Sequence, residues 1–268
     1  MKSEYLFNQK SFWRLFAVSL FCAVIISGCG SSASDVTIAG VGSGGTGTLS
    51  GTVADGYLIN ATVFLDKNGN YQLDAGEPYT TTDTNGAYTL NVDPADVGKY
   101  PIVAIAIKGI TIDKDTNQSI GSTYVLSISK NSLNGTVSNF ISPMSSMIRE
   151  LMETGQYTSV QQAADALIKK LGLPAGTDMM GDYIHANNTA IHTAAQNMAA
   201  FMGNQMGQVI GMNGSTITVD VNRYRAMMGL MYNNMSSSWC NSQLDMGNFG
   251  NSMMDELSSS PTTPEEQP

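Results

Sequence analysis

Short apolar runs separated by turn-forming residues fill the chain from residue 49 to about residue 130. Val, Ile, Thr and Tyr dominate these runs, while Gly, Asn, Asp and Pro separate them, a pattern typical of β-strands. Five segments have it: LSGTVADG (49–56), NATVFLD (60–66), GAYTLNV (86–92), PIVAIAIKG (101–109) and STYVLSIS (122–129). Their number and close spacing predict a small antiparallel β-sandwich.

Near residue 140 the apolar positions change to helical spacing. Ser142 and Pro143 form a predicted N-cap and first-turn pair, and a second helix is predicted from Thr158. Two further helices are predicted over 187–210 and 221–235. The sequence therefore predicts an α+β protein in two parts, with a β-sandwich over 49–135 and a Met-rich helical domain over 136–254.

Sixteen of the 17 methionines lie between residues 144 and 254. Met198, Met202 and Met206 recur every four residues, which predicts one apolar stripe on the third helix. Flexible thioether side chains fill irregular gaps in a core, so the favoured interpretation is core packing. Two alternatives stay open, namely an adaptable apolar binding surface and a Cu(I) site made of thioethers.

Residues 1–28 have the layout of a signal peptide. Three basic residues precede LFAVSLFCAVII (15–26), an uncharged run that is short for a transmembrane helix. The run leads into Ile26, Ser27, Gly28 and Cys29, which resemble position by position the lipobox of bacterial lipoproteins. That resemblance implies cleavage before Cys29 and covalent lipid on this cysteine. An ordinary secretory signal with a chance cysteine is the alternative.

The lipobox resemblance also implies a location. Several acyl chains such as palmitate make a durable membrane anchor, which places the protein in the cell envelope. No aspartate follows Cys29 directly, and in Gram-negative lipoproteins this usually implies sorting to the outer membrane. Residues 29–48 are rich in Gly, Ser and Thr and predict a flexible tether, whereas 255–268 predict a disordered tail.

Charge narrows the set of partners. Removing the three basic residues and one acidic residue of 1–28 changes the formal net charge from −9 to −11. An acidic surface argues against nucleic acid and anionic lipid as partners, and it is compatible with divalent cations. Beyond the membrane that holds the anchor, we expect a protein or a surface glycan as the partner.

Catalytic motifs do not stand out. The chain has no G-x-S-x-G, H-E-x-x-H, P-loop or C-x-x-C motif, so a non-enzymatic protein is predicted. Gly40, Gly42 and Gly45 fit G-x-G-x-x-G but no helix pattern follows, so we interpret them as linker. His185 and His192 are expected at surface or partly buried positions, and Asp113 with Asp115 in a solvated turn.

Oxygen-bearing side chains recur through LDKNGNYQLDAGEP (65–78). Counted from Asp66, they occupy positions 1, 3, 5, 9 and 12 of a calcium loop, and position 7 supplies a backbone carbonyl. The candidate ligands are Asp66, Asn68, Asn70, Gln72 through its carbonyl, Asp74 and Glu77. Tyr71 stands where an EF-hand needs glycine, and the flanks look like strands, so an EF-hand is not expected. A hairpin connection without metal stays the alternative.

Read with its surroundings, the loop resembles part of a known group of bacterial surface modules. SGTVADG, the loop and TTTDTNGAYTL together are similar to the SD-repeat B-type, Cna-B and carboxypeptidase-regulatory-like domains, which have a transthyretin-like fold. Thr82, Asp83, Gly86 and Tyr88 match the second motif of that group. The resemblance covers about 49–130 and implies a structural Ca²⁺ held by Asp66, Asn68, Asn70, Asp74 and Glu77.

These observations predict an anchored, non-enzymatic structural or binding module of the cell envelope, with a calcium-stabilised β-domain. The alternative is an envelope protein whose Met-rich helices handle copper or bind a hydrophobic ligand.

Overall fold

The computed structural model describes residues 46–133, 139–213, 216–246 and 250. These residues belong to one compact unit that begins at Gly44. Signal peptide, lipobox, most of the predicted tether and the predicted tail lie outside the described residues, as does the predicted boundary at 135–136.

Twelve β-strands occur in the described residues. In chain order they are β1 (Gly47–Val53), β2 (Leu58–Ile59), β3 (Thr62–Leu65), β4 (Tyr79–Thr81), β5 (Ala87–Val92), β6 (Ile102–Ala106), β7 (Ile112–Asp113), β8 (Gln118–Ser119), β9 (Tyr124–Ile128), β10 (Asn139–Ile141), β11 (Ile210–Asn213) and β12 (Thr216–Val219).

Four α-helices lie among and after these strands: α1 (Pro143–Glu153), α2 (Val160–Lys170), α3 (Thr189–Gln205) and α4 (Val221–Asn234). Three of the four N-caps are Ser or Asn, and Asp220 caps α4; each accepts a hydrogen bond from a backbone N–H of the first turn. Ser142 and Ser145 form a reciprocal capping box that fixes the start of α1.

Two sheets build the β-part. One has the order β10-β1-β5, with β10 parallel and β5 antiparallel to β1; the other has the antiparallel order β4-β3-β6-β9. In β5, Tyr88, Leu90 and Val92 are buried while Thr89 and Asn91 are exposed, as expected for a strand covered on one face. A small sheet β2-β7-β8 and the hairpin β11-β12 complete the described strands.

Strands β6 and β9 of the second sheet are covered on both faces. Every residue of β6 and of β9 is buried, which explains the continuous apolar runs IVAIA and YVLSI. Helix α1 packs on β9, and α3 also contacts this strand. Strands and helices consequently contribute to a single hydrophobic core.

Helix α1 also forms hydrogen bonds with backbone groups at the free edge of β9. Ser127 lies in that strand; its N–H donates to Ser146 Oγ at 2.8 Å, and its carbonyl accepts from Ser145 Oγ at 2.8 Å. Both serines are buried. An edge strand with unpaired backbone groups would otherwise carry a desolvation cost at a buried position.

Mixed α+β composition is confirmed. Four of the five predicted strand segments contain an observed strand, and the fifth, 49–56, overlaps β1, which begins at Gly47 inside the predicted tether. Helix α1 begins at Pro143 as predicted, and α3 and α4 lie within the predicted ranges. The N-cap of the second helix is Ser159, one residue later than predicted, because its Oγ accepts from the N–H of Gln162. Strand β10 and the hairpin β11-β12 were not predicted.

The methionines of the helices lie mostly inside the core. Met198, Met202 and Met206 have no exposed surface, and Met227, Met228 and Met231 are equally buried on α4. No α-helix of the described residues combines the length and the apolar character needed to cross a bilayer.

Candidate functional site

The predicted ligand loop connects β3 to β4. It begins at Asp66, directly after the last residue of β3, and ends at Glu77, two residues before β4. Asp66 N–H donates to the carbonyl of Pro101, and Leu65 N–H donates to that of Pro78. The sheet therefore fixes both ends of the loop, so that its twelve residues form one closed unit.

Asp66 organises the first half of the loop. Its Oδ1 accepts from the N–H groups of Gly69, at 2.8 Å, and Asn70, at 3.1 Å, while its Oδ2 accepts from Tyr71 N–H at 3.3 Å. The side chain is fully buried. This carboxylate thus serves as the acceptor for a turn of three consecutive backbone donors.

Three predicted ligands converge on one point. The side-chain amides of Asn68 and Asn70 donate to Asp74 Oδ2 at 2.8 and 2.7 Å. The amide oxygen of Asn68 accepts from Asn70 N–H, and that of Asn70 accepts from Gln72 N–H. The alternating polar side chains that suggested a ligand set accordingly also hydrogen-bond to one another.

Glu77 closes the loop. Its Oε1 accepts from Lys67 N–H at 2.7 Å and its Oε2 from Asp74 N–H at 3.0 Å. Burial raises the pKa of this carboxyl, an effect that the two N–H donors oppose. The terminal glutamate thereby joins the start of the loop to its second half.

The donor set of this loop consists of oxygens only, which suits Ca²⁺. Each carboxylate oxygen of Glu77 accepts one backbone hydrogen bond and keeps a second lone pair, whereas both oxygens of Asp66 already have two partners. Within the described part of the chain, no three His, Cys, Asp or Glu side chains form a group that could hold a metal ion. The fit to calcium therefore requires the amide and backbone oxygens of Asn68, Asn70 and Gln72 as ligands.

Tyr71 takes the backbone conformation that glycine has in an EF-hand loop. Its φ is 61°, in the left-handed region that costs a residue with a side chain roughly 1–2 kcal/mol. The side chain is fully buried, and its hydroxyl donates to Glu150 Oε1 of helix α1. Its ring lies 4.7 Å from the ring of Tyr224 on α4. The loop thereby inserts an aromatic residue between two helices, and the burial of that ring offsets the backbone cost.

Arg149 of α1 completes a buried polar cluster with the loop. Its Nη2 lies 3.4 Å from Asp66 Oδ2, and the side chains are 2% and 0% exposed. The guanidinium also lies 4.1 Å from the centroid of the Tyr71 ring. Burial raises the pKa of Glu150. The hydrogen bond from Tyr71 and the positive charges of Arg149 and Arg225 oppose this rise. We name Asp66, Tyr71, Arg149 and Glu150 the loop–helix cluster. No local sequence pattern indicates this cluster, because Asp66 in the loop and Arg149 in the helix are 83 residues apart.

The second motif supports the neighbouring strands. Thr82 Oγ1 accepts from Ala61 N–H at 2.9 Å and donates to the Leu58 carbonyl at 2.6 Å. Asp83 Oδ1 accepts from the N–H groups of Asn85 and Ala87. Gly86 has a φ of 73°, and a Cβ there would lie 2.9 Å from the carbonyl oxygen of Val53. These residues shape the turn that leads into β5.

A polar cavity of about 400 Å³ lies between residues 55–56, the β7–β9 region and helix α3. Asp55 lines it, and its Oδ2 accepts from Tyr124 OH at 2.8 Å. Asp55 Oδ1 is buried without a hydrogen-bond partner among the described residues. Burial raises the pKa of Asp55 to about 7; the Tyr124 hydrogen bond opposes this effect, and Asp113 adds to it.

Asp115 lies in the exposed turn between β7 and β8, as expected, and its side chain also contacts α3. His192 Nε2 lies 2.7 Å from Asp115 Oδ2, and Gln196 Nε2 donates to the same oxygen at 2.9 Å. His192 is partly buried and its ring lies 5.7 Å from that of Tyr183, while His185 is exposed. The two histidines, predicted to occupy surface or partly buried positions, do so.

Cys240 is a buried free thiol, and burial raises its pKa. Its Sγ lies 3.7 Å from the carbonyl oxygen of Leu171. The lipidation site predicted at Cys29 lies outside the described residues.

Comparison with known proteins identified no relative: the chain matches no family model, no curated protein and no solved structure.

Replacing Asp66 with Asn tests the loop–helix cluster. The amide keeps an acceptor for the turn but removes the charge that faces Arg149, so we expect the free energy of unfolding to fall by about 3–5 kcal/mol. In the Asp66→Asn background, Arg149→Met should lower the free energy of unfolding by less than it does in the wild type. This difference, the coupling energy of the pair, should be about 0.5–3 kcal/mol. Urea unfolding in EDTA measures both.

Arg223→Met, which removes one partner of an exposed ion pair, is the control and should change the free energy of unfolding little. Strict additivity of the two substitutions would contradict the proposed pairing.

Asp55 makes a contribution to stability that is lost as the pH rises. In the folded protein this carboxyl keeps its proton up to about pH 7, whereas an unfolded aspartate loses it near about pH 3.9. The folded state therefore binds more protons in this window, and its stability falls as the pH rises from about 4 to about 7. Asp113 and Asp115 strengthen the effect, and Tyr124 opposes it. Tyr183 OH donates to the Asp55 carbonyl, and His192 pairs with Asp115.

In Asp55→Asn, a neutral amide replaces the protonated acid. We expect the loss of stability between about pH 5 and about pH 8 to be smaller than in the wild type, by on the order of 1–3 kcal/mol. Asp165→Asn, at an exposed position on α2, is the matched control and should keep the wild-type profile. Identical pH profiles for Asp55→Asn and the wild type, measured by urea unfolding, would rule out this role.

Proposed function

We propose that the protein is a membrane-anchored lipoprotein of the cell envelope that acts as a non-enzymatic structural or binding module. In this proposal a transthyretin-like β-sandwich over 49–135 is followed by a Met-rich helical part over 136–254. Covalent lipid on Cys29 holds the chain to the membrane, which is the outer membrane in a Gram-negative cell. A protein or a surface glycan is the proposed partner.

The observation that carries the structural role is the loop–helix cluster. Three backbone donors, the Asp66 carboxylate and the strained Tyr71 hold the β3–β4 loop in a fixed position against α1 and α4. Catalytic loops need a reactive group that can reach a substrate, whereas the Asp66 and Tyr71 side chains of this loop are buried and hydrogen-bonded within the protein. This arrangement favours a loop that stabilises the module.

Calcium binding belongs to the same proposal. Asn68, Asn70 and Asp74 already lie together, and Asp66 and Glu77 border them at the two ends of the loop. A bound Ca²⁺ would supply positive charge among these oxygens and so hold the connection in place, without taking part in any reaction. The burial of Met198, Met202 and Met206 favours core packing over copper handling as the role of the thioethers.

Lipid anchoring predicts a specific result for Cys29→Ser. When the gene is expressed in a bacterium fed an alkyne analogue of palmitate, the wild type should carry the label and sediment with membranes. Cys29→Ser should lose the label and the anchoring that depends on it. Cys240→Ser is the control and should keep both, because Cys240 is buried. A wild-type protein without label would reject the lipoprotein assignment.

Calcium should raise the melting temperature of the wild type. With a dissociation constant of about 10⁻⁴ to 10⁻³ M, millimolar CaCl₂ would stabilise the fold by about 1 kcal/mol, and MgCl₂ by less. Asp74→Asn should abolish the calcium-dependent rise, because it removes the carboxylate on which the two amides converge.

Asp83→Asn is the matched control for the calcium experiment. It removes one negative charge from a neighbouring turn outside the loop and should keep the calcium response. Differential scanning calorimetry at constant ionic strength separates specific binding from screening. A wild-type melting temperature that does not respond to calcium would leave the loop as a hydrogen-bonded turn.

A further inference from the structure

A second cavity, of about 520 Å³, lies beside the β3–β4 loop. The start of the loop, residues 99–101, residues 129–131 and helices α1 and α4 form its walls. Five basic side chains line it: Lys67, Lys99, Lys130, Arg149 and Arg225. We name this set the cationic groove.

The charge of the groove is opposite to that of the chain. Ten Lys and Arg residues follow Cys29 in the sequence, against 21 Asp and Glu residues, and five of these ten line this one cavity. Only Asp66 and Glu153 among its lining residues are acidic. Random placement of so few cations would spread them over the surface. Their concentration here gives a strongly acidic protein one cavity whose lining holds more cations than carboxylates.

Arg149 supplies donors without acceptors. Its side chain is 2% exposed, and its Nε and Nη1 atoms are buried with no hydrogen-bond partner among the described residues. Glu153 Oε1 lies 4.0 Å from Nε, which is too long for a hydrogen bond. Unsatisfied N–H groups of a buried guanidinium are costly, so Arg149, which lines the groove, would gain an acceptor from an anion bound there.

The other cations divide into engaged and unengaged groups. Lys67 lies 2.8 Å from Asp96, and Arg225 Nη2 lies 3.4 Å from Glu153 Oε2. Lys99 and Lys130 are exposed and make no ion pair within the described part of the chain. Their ammonium groups can therefore turn toward a ligand without breaking an existing pair.

From this arrangement we propose that the cationic groove binds a phosphate ester. A phosphate monoester carries close to two negative charges and three acceptor oxygens, which suits one guanidinium fork together with two mobile ammonium groups. Tyr100, Pro101 and Met152 also line the cavity and offer apolar surface to the carbon atoms of the ester. The phosphate has two conceivable carriers, a lipid headgroup and a small soluble ester. The proposal goes beyond the anchoring and calcium roles and depends on neither.

Inorganic phosphate and glycerol phosphate are the first probes. In EDTA at constant ionic strength, titration calorimetry should show saturable binding of both to the purified protein. In Lys99→Gln with Lys130→Gln the dissociation constant should rise about tenfold. Arg149→Lys keeps the charge but loses the planar fork, so it should weaken binding further. The two lysines are exposed, so their replacement tests the groove even if Arg149→Lys fails to fold.

Lys108→Gln with Lys169→Gln is the matched control. It removes the same charge from two exposed sites outside the groove and should bind phosphate as the wild type does. Asp74→Asn should also retain binding, so that failure of the calcium proposal and failure of this one are distinguishable. No saturable phosphate binding, or an equal loss in the control, would overturn the proposal.

Vesicles distinguish the two carriers. Phosphatidylcholine vesicles with and without phosphatidic acid are mixed with the protein carrying Cys29→Ser, so that the anchor does not contribute. Binding that requires phosphatidic acid and is lost in Lys99→Gln with Lys130→Gln supports a headgroup. Binding of glycerol phosphate without vesicle binding supports a soluble ester. Vesicle binding that survives the double substitution would refute a role for the groove.

Discussion

The buried ion pair between Asp66 and Arg149 joins the β-part of this protein to its helices. Both side chains are almost fully removed from solvent, where an unpaired charge would be expensive. The cost is reduced on the Asp66 side by three backbone N–H donors, and on the Arg149 side by the Tyr71 ring. Each partner is therefore held by its own surroundings, and the pair defines how α1 must sit against the β3–β4 loop.

This constraint explains the unusual backbone of Tyr71. A glycine at that position would make the turn without strain, but it would leave no side chain to reach Glu150 and Tyr224. The protein accepts a left-handed tyrosine because the gain from a buried aromatic ring and its hydroxyl exceeds the backbone cost. The departure from the EF-hand pattern is consequently explained by tertiary packing.

Local patterns predicted most of the secondary structure. The β-branched runs, the helical spacing of apolar residues and the N-cap Ser142 are short-range signals, and they identified the main strands and the α-helices. Strand β10 escaped prediction because NFI is short and pairs in parallel with β1, far away in the sequence. The hairpin β11-β12 also carries a local signal, since the two residues between the paired Asn213 and Thr216 are Gly214-Ser215, a favoured hairpin sequence. The loop–helix cluster has no local signal, because Asp66 and Arg149 are 83 residues apart.

The same tertiary contact also limits what a ligand near the loop can be. Asp66 faces Arg149 through Oδ2 and faces the turn through Oδ1, so the loop interior is anionic while the adjoining cavity is cationic. A cation in the loop and an anion in the groove would each meet complementary charge, and both would be close to the buried pair, because Asp66 and Arg149 also line the groove. Because Arg149 takes part in both environments, any ligand that draws the guanidinium toward the groove weakens its hold on Asp66. The Asp66–Arg149 contact that stabilises the fold would thus also couple binding in the loop to binding in the cationic groove.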